Sequence, residues 1–167
     1  QDSLLWLWGV STMIVLQYLT DLLDGAVGRE RDTGLIKWGF YMDHLLDFVF
    51  LSSLVFVGYQ ISPPGLELWY LLLMVVLGTF MVNSFLSFAA TNAFEIYHHG
   101  VGPTETRVLF IAVNGFIIAF GTQWFDWLLP ATVLLCLAVL IYDCWRIHRK
   151  LWRIDMETKA ARTNKPS

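Results

Sequence analysis

Four acids in this chain, Asp21, Asp24, Asp43 and Asp47, have the type and spacing to do chemistry. They lie in DLLDGAVGRERDTGLIKWGFYMDHLLD, residues 21–47, flanked by Leu, Tyr, Met and Phe. Asp21 and Asp24 are three residues apart, Asp43 and Asp47 four apart. On helices both spacings set the two side chains on one face. A short connection returns the chain, so the two pairs can converge from neighbouring helices. Uncompensated, the acids would repel one another, and each would cost about 2.5–3.5 kcal/mol to insert near mid-bilayer. Either they protonate or cations neutralise them. Oxygen ligands without Cys, and with only His44 nearby, favour a hard ion such as Mg²⁺ or Mn²⁺ over zinc.

Glycines and an arginine share the stretch. Gly25 follows Asp24, Gly28 precedes Arg29, and Gly39 lies one helical turn before Asp43. A glycine on the acidic face leaves bare backbone that a ligand can approach closely. Arg29 offers a planar fork suited to phosphate oxygens. Acids, cations, a phosphate-binding Arg and bare backbone together point to phosphoryl transfer rather than a plain ion site.

The elements that must position these groups are membrane helices. Of 167 residues 56% are hydrophobic and 15% charged, with 8 Trp and 12 Phe, more apolar side chain than so short a soluble domain needs. Apolar runs of helix length predict an all-α polytopic membrane bundle of five spans, at about residues 4–23, 38–61, 66–94, 107–124 and from 127 to 146. SPPG at 62–65 breaks the chain, NG at 114–115 interrupts the fourth span, and Pro130 falls in the first turn of the fifth. Residues 1–154 are expected to form the transmembrane catalytic domain and residues 155–167 a cytosolic polar tail. Numbering the connections alternately puts all 11 Lys and Arg on one side: Arg29, Arg31, Lys37, Arg107 and the seven from Arg146 onward. The positive-inside rule makes that side cytosolic and places the acids at the cytosolic face. Cys136 and Cys144, roughly 12 Å apart along one helix, are too far apart to bridge and read as free thiols.

Written D-x2-D-G-x2-G-R-x9-G-x3-D-x3-D, residues 21–47 resemble the signature of the CDP-alcohol phosphotransferases. These integral membrane enzymes move a phospho-alcohol or phosphatidyl group from a CDP-linked donor to an alcohol and release CMP. Gly28 stands where the family usually has alanine, a small-for-small change. The resemblance implies six spans, so a sixth helix is expected ahead of Gln1. It implies a site for two divalent ions, Mg²⁺ or Mn²⁺, with Asp21, Asp24 and Asp43 as ligands and Asp47 as a ligand or the general base. Gly25, Gly28, Arg29 and Gly39 would surround the CDP moiety. A lipid substrate from the bilayer and a homodimer are implied; nucleic acid is not a partner.

Two features bear on the substrate. His44 follows Asp43, giving MDHLLD, and residues 97–107 read YHHGVGPTETR. Both are similar to choline- and ethanolamine-phosphotransferases, whose donor is a soluble CDP-amino alcohol and whose acceptor is diacylglycerol. The other branches combine CDP-diacylglycerol with a soluble alcohol: glycerol phosphate, inositol, inositol phosphate or serine. Glu105 would lie on the cytosolic side within reach of the site, to orient the acceptor hydroxyl, to pair with a basic substrate group, or as an ordinary loop acid beside Arg107. The rival of another class, a cation channel or transporter with buried acids, needs acids spread through the bilayer depth. It also gives Gly25, Arg29 and Gly39 no reason to hold their spacings.

Overall fold

A computed structural model describes residues 4–30, 36–91 and 103–163, with the side chains at positions 24–26, 28, 29, 36, 103, 105, 106 and 163 excepted. The described residues form five helices: α1 (Leu7–Glu30), α2 (Ile36–Ile61), α3 (Glu67–Thr91), α4 (Pro103–Phe120) and α5 (Phe125–Thr163). The all-α class read from the sequence holds. Helices α2, α3 and α5 are long and apolar enough to cross a membrane; α1 and α4 carry the shorter apolar stretches Leu7–Leu23 and Arg107–Phe120. The first includes Asp21 and the second begins at Arg107, so each carries a charge near one end.

One compact unit contains α1, α2 and α4; a second contains α3 and α5. In the first, α1 packs on α4. Leu7, Ser11, Ile14, Tyr18 and Asp21 recur every three or four residues and so share one face of α1. Leu7 and Ile14 are fully buried and Ser11 is buried with them, whereas Trp8, Met13 and Leu16 on other faces stay exposed, as lipid-facing side chains should. On α4, Arg107, Asn114 and Ile117 share a face by the same spacing, and Ile117 is buried. Asn114 Nδ2 donates to Ser11 Oγ at 3.1 Å. Ser11 pairs with residue 114, while Tyr18 and Asp21 meet Arg107, so the two helices run antiparallel.

Asn114–Gly115 does not interrupt α4, contrary to expectation. The helix is continuous through both residues, because the Asn114 side chain is engaged by α1 instead of competing for its own backbone. α4 ends at Gly121, whose φ of 76° takes the left-handed conformation and whose N–H donates to Ile117 O at 2.8 Å. SPPG does break the chain: Gly65, at φ 95°, donates its N–H to Glu67 Oε1 at 3.1 Å at the start of α3.

In the second unit, α5 buries Leu129, Val133, Leu140 and Asp143 along one face, and α3 buries Tyr70 and Val76. α5 is 39 residues long. At 1.5 Å per residue that is about 58 Å, roughly twice the hydrocarbon thickness of a bilayer. Its basic C-terminal half, from Arg146, therefore extends beyond the apolar layer. The helix starts two residues earlier than expected, which places Pro130 beyond the first turn, where its missing N–H forfeits the bond to Asp126 O. Cys136 and Cys144 are free thiols.

Candidate active site

The acids from α1 and α2 converge. Asp21, Asp43 and Asp47 each offer a carboxylate oxygen, and these oxygens lie within 4.8 Å of one another. The i,i+4 spacing sets Asp43 and Asp47 on one face of α2, and Asp21 reaches them from the buried stripe of α1. Two unit charges about 4 Å apart repel by about 4 kcal/mol at the effective dielectric of a protein surface, so such a cluster requires compensation.

Two side chains supply part of it. Arg107, from the first turns of α4, pairs through Nη2 with Asp21 Oδ2, and the same Nη2 lies 3.9 Å from Asp47 Oδ1. Its guanidinium is held 5.6 Å over the Tyr18 ring. Gln17, one turn before Asp21, donates from Nε2 to Asp21 Oδ2 at 2.7 Å and reaches Asp47 Oδ1 at 3.5 Å. Exposure is graded across the group. The Arg107 side chain is 14% exposed, Asp21 32%, Asp47 40% and Asp43 56%. The cluster is therefore open on the Asp43 side and closed behind by Arg107.

His44 stands next to Asp43 with Nδ1 2.7 Å from Phe40 O and 3.8 Å from Asp43 Oδ2. Its ring centroid is 4.2 Å from that of Phe40. A proton on Nδ1 satisfies the Phe40 carbonyl and leaves Nε2 as the basic ring nitrogen. Gly39, one turn before Asp43, has open space around it: an added Cβ would meet nothing within 4 Å among the described residues. Gly25, Gly28 and Arg29 belong to α1, which runs seven residues past Leu23, and Glu105 belongs to α4. The side chains of Asp24, Arg29 and Glu105 lie outside the described residues, so their expected roles rest on the sequence.

Arg107 and Gln17 are the site residues that sequence reading missed. In the sequence Arg107 counts only among the basic residues that set topology and as the neighbour of Glu105, though a lone Arg in a short apolar helix marks a functional position by default. Gln17 offered a similar signal, a polar group four residues before an acid in an otherwise apolar run.

Three convergent carboxylates on a helical membrane scaffold define an oxygen-rich site suited to a hard divalent cation, and the donor set fits one. The family comparison agrees. The chain belongs to the CDP-alcohol phosphatidyltransferase family, whose model matches residues 3–142. No curated protein and no solved structure matches the chain. Family membership makes this a membrane transferase of phospholipid synthesis that uses a CDP-alcohol, in a family that typically depends on divalent metal.

Proposed function

We propose that this protein transfers a phospho-amino alcohol from a CDP-linked donor to diacylglycerol at the cytosolic face, releasing CMP. The observation that carries the reading is the meeting of Asp21, Asp43 and Asp47 from two helices, in a chain of the CDP-alcohol phosphatidyltransferase family. MDHLLD and the GPTE run at residues 102–105 favour the amino-alcohol branch.

Asp21, Asp24, Asp43 and Asp47 would hold two divalent ions, Mg²⁺ or Mn²⁺. Bound there, such ions neutralise the donor's diphosphate and stabilise developing negative charge on oxygen. Asp47 takes the proton from the acceptor hydroxyl. The hydroxyl oxygen forms a new bond to the phosphorus that carries the alcohol, and the bond from that phosphorus to the oxygen bridging to CMP breaks. CMP leaves with the bridging oxygen. Arg29 binds donor phosphate, and Gly25, Gly28 and Gly39 let the nucleotide approach the backbone. His44 and Glu105 orient the acceptor.

The one-sided distribution of Lys and Arg along the sequence supports the cytosolic placement, and the family resemblance supports a homodimer. The test is CMP release from purified protein with Mg²⁺ and matched donor–acceptor pairs. CDP-ethanolamine with diacylglycerol should support turnover. Turnover only with CDP-diacylglycerol and a soluble alcohol would reverse the donor assignment. Absence of CMP with every pair, accompanied by ion flux in proteoliposomes, would replace the enzyme with a channel or transporter.

A further inference from the structure

We infer that Arg107 is a built-in counter-ion of the acidic cluster and competes with divalent cations for Asp21 and Asp47. The inference rests on the divalent-cation reading of the site given above.

Three observations support it. First, the guanidinium of Arg107 addresses carboxylates from both helices at once, pairing with Asp21 and lying 3.9 Å from Asp47. Those same two residues contribute the oxygens that a cation would use. Second, Arg107 is held in that position. It is the least exposed of the four charged groups, and the Tyr18 face on the buried stripe of α1 lies under it at 5.6 Å. Third, the charges do not balance. Among the described side chains, one guanidinium set against Asp21, Asp43 and Asp47 leaves two negative charges over, concentrated toward the open Asp43 side. The cluster therefore stays attractive to a divalent ion while its inner oxygens are already engaged by a cation.

Two positive groups cannot share the same carboxylates without repelling. Each must lower the affinity of the site for the other, and by linkage the two effects are equal. Arg107 would then act as a positioning residue with two consequences. It keeps α1, α2 and α4 assembled around their acids when no divalent ion is bound. It also weakens metal binding, so that the site responds to cation concentration instead of being permanently saturated.

The test is Mn²⁺ binding, measured by electron paramagnetic resonance on the purified full chain without nucleotide, for wild type, Arg107→Gln and Arg107→Met. Methionine removes a charge from an apolar helix and should insert at least as well as the wild type. Both variants should bind Mn²⁺ more tightly, by about tenfold, within the usual range of coupling between two sites. Both should also melt lower in EDTA and gain more than wild type from added Mg²⁺, because the metal replaces the lost counter-ion. Unchanged or weaker Mn²⁺ binding in both variants would overturn the role of Arg107 and leave the metal site standing. Failure of the wild type itself to bind Mn²⁺ would overturn the metal site, and this inference with it.

Discussion

The side-chain amide of Gln17 on α1 reaches Asp47 on α2, with Nε2 3.5 Å from Oδ1, while holding Asp21 on its own helix at 2.7 Å. One uncharged donor thus spans two carboxylates from different helices. The neutrality of this bridge matters as much as its reach, because another negative group here would face Asp21 and Asp47 directly.

Gln17→Glu should therefore lower the melting temperature in EDTA more than Gln17→Leu does, since the acid adds repulsion as well as removing the donor. Saturating Mg²⁺ should close most of that gap for Gln17→Glu and little of the loss for Gln17→Leu. Scanning fluorimetry with and without metal reads both. Equal losses that Mg²⁺ does not touch would reduce Gln17 to a packing residue.

Chelation and the acid-to-amide series should separate charge from structure. EDTA should stop CMP release, and either Mg²⁺ or Mn²⁺ should restore it. Asp47→Asn should cut turnover by about a hundredfold to ten-thousandfold, the range expected for losing a general base. It should do so without impairing insertion, because removal of a like charge relieves repulsion. Asp21→Asn loses both a ligand and the partner of Arg107, so its melting temperature should fall as well. Full turnover by Asp47→Asn would remove that residue as the base.

The sequence reveals the acid cluster because helical periodicity is a local rule. Spacings of three and four predict one face, and a short return brings two such faces together. Asp21, Asp43 and Asp47 meet as that reasoning requires. Arg107 was hidden because its partner Asp21 lies 86 residues away, and nothing local indicates which face of α4 meets α1. The continuity of α4 was missed for the same reason. Asn–Gly is a turn signal only when the Asn side chain is free to bond its own backbone, and here Ser11 engages it. Pro130 was misplaced by two residues of helix start, a boundary error and not an error of class.

The Ser11–Asn114 bond should be a measurable fraction of the α1–α4 association. Polar pairs between membrane helices couple by about 0.6 kcal/mol on average and by up to about 1.7 kcal/mol. Ser11 is 5% exposed, which places this pair toward the upper end. A double-mutant cycle with Ser11→Ala and Asn114→Ala, read by unfolding in mixed detergent, should return coupling of that order with CMP release preserved in the double mutant. Additive losses would mean that the two side chains act independently.

Gly39 separates folding from ligand binding most cleanly. An added Cβ there meets nothing within 4 Å among the described residues, so packing against them gives no reason to prefer glycine. Helix propensity argues for alanine, by about 0.5–1 kcal/mol in a helix interior. The position is one turn before Asp43, on the open side of the acids. If the donor nucleotide lies against this backbone, a methyl group would intrude on bound substrate and on no described side chain. Gly39→Ala should thus leave the melting temperature unchanged or raise it while increasing KM for the CDP-linked donor. Gly39→Leu should increase KM further, by about tenfold or more, since overfilling a packed contact costs about 1–3 kcal/mol. The acceptor KM should move much less. A donor KM that stays at the wild-type value through leucine would place the nucleotide elsewhere on the acidic face.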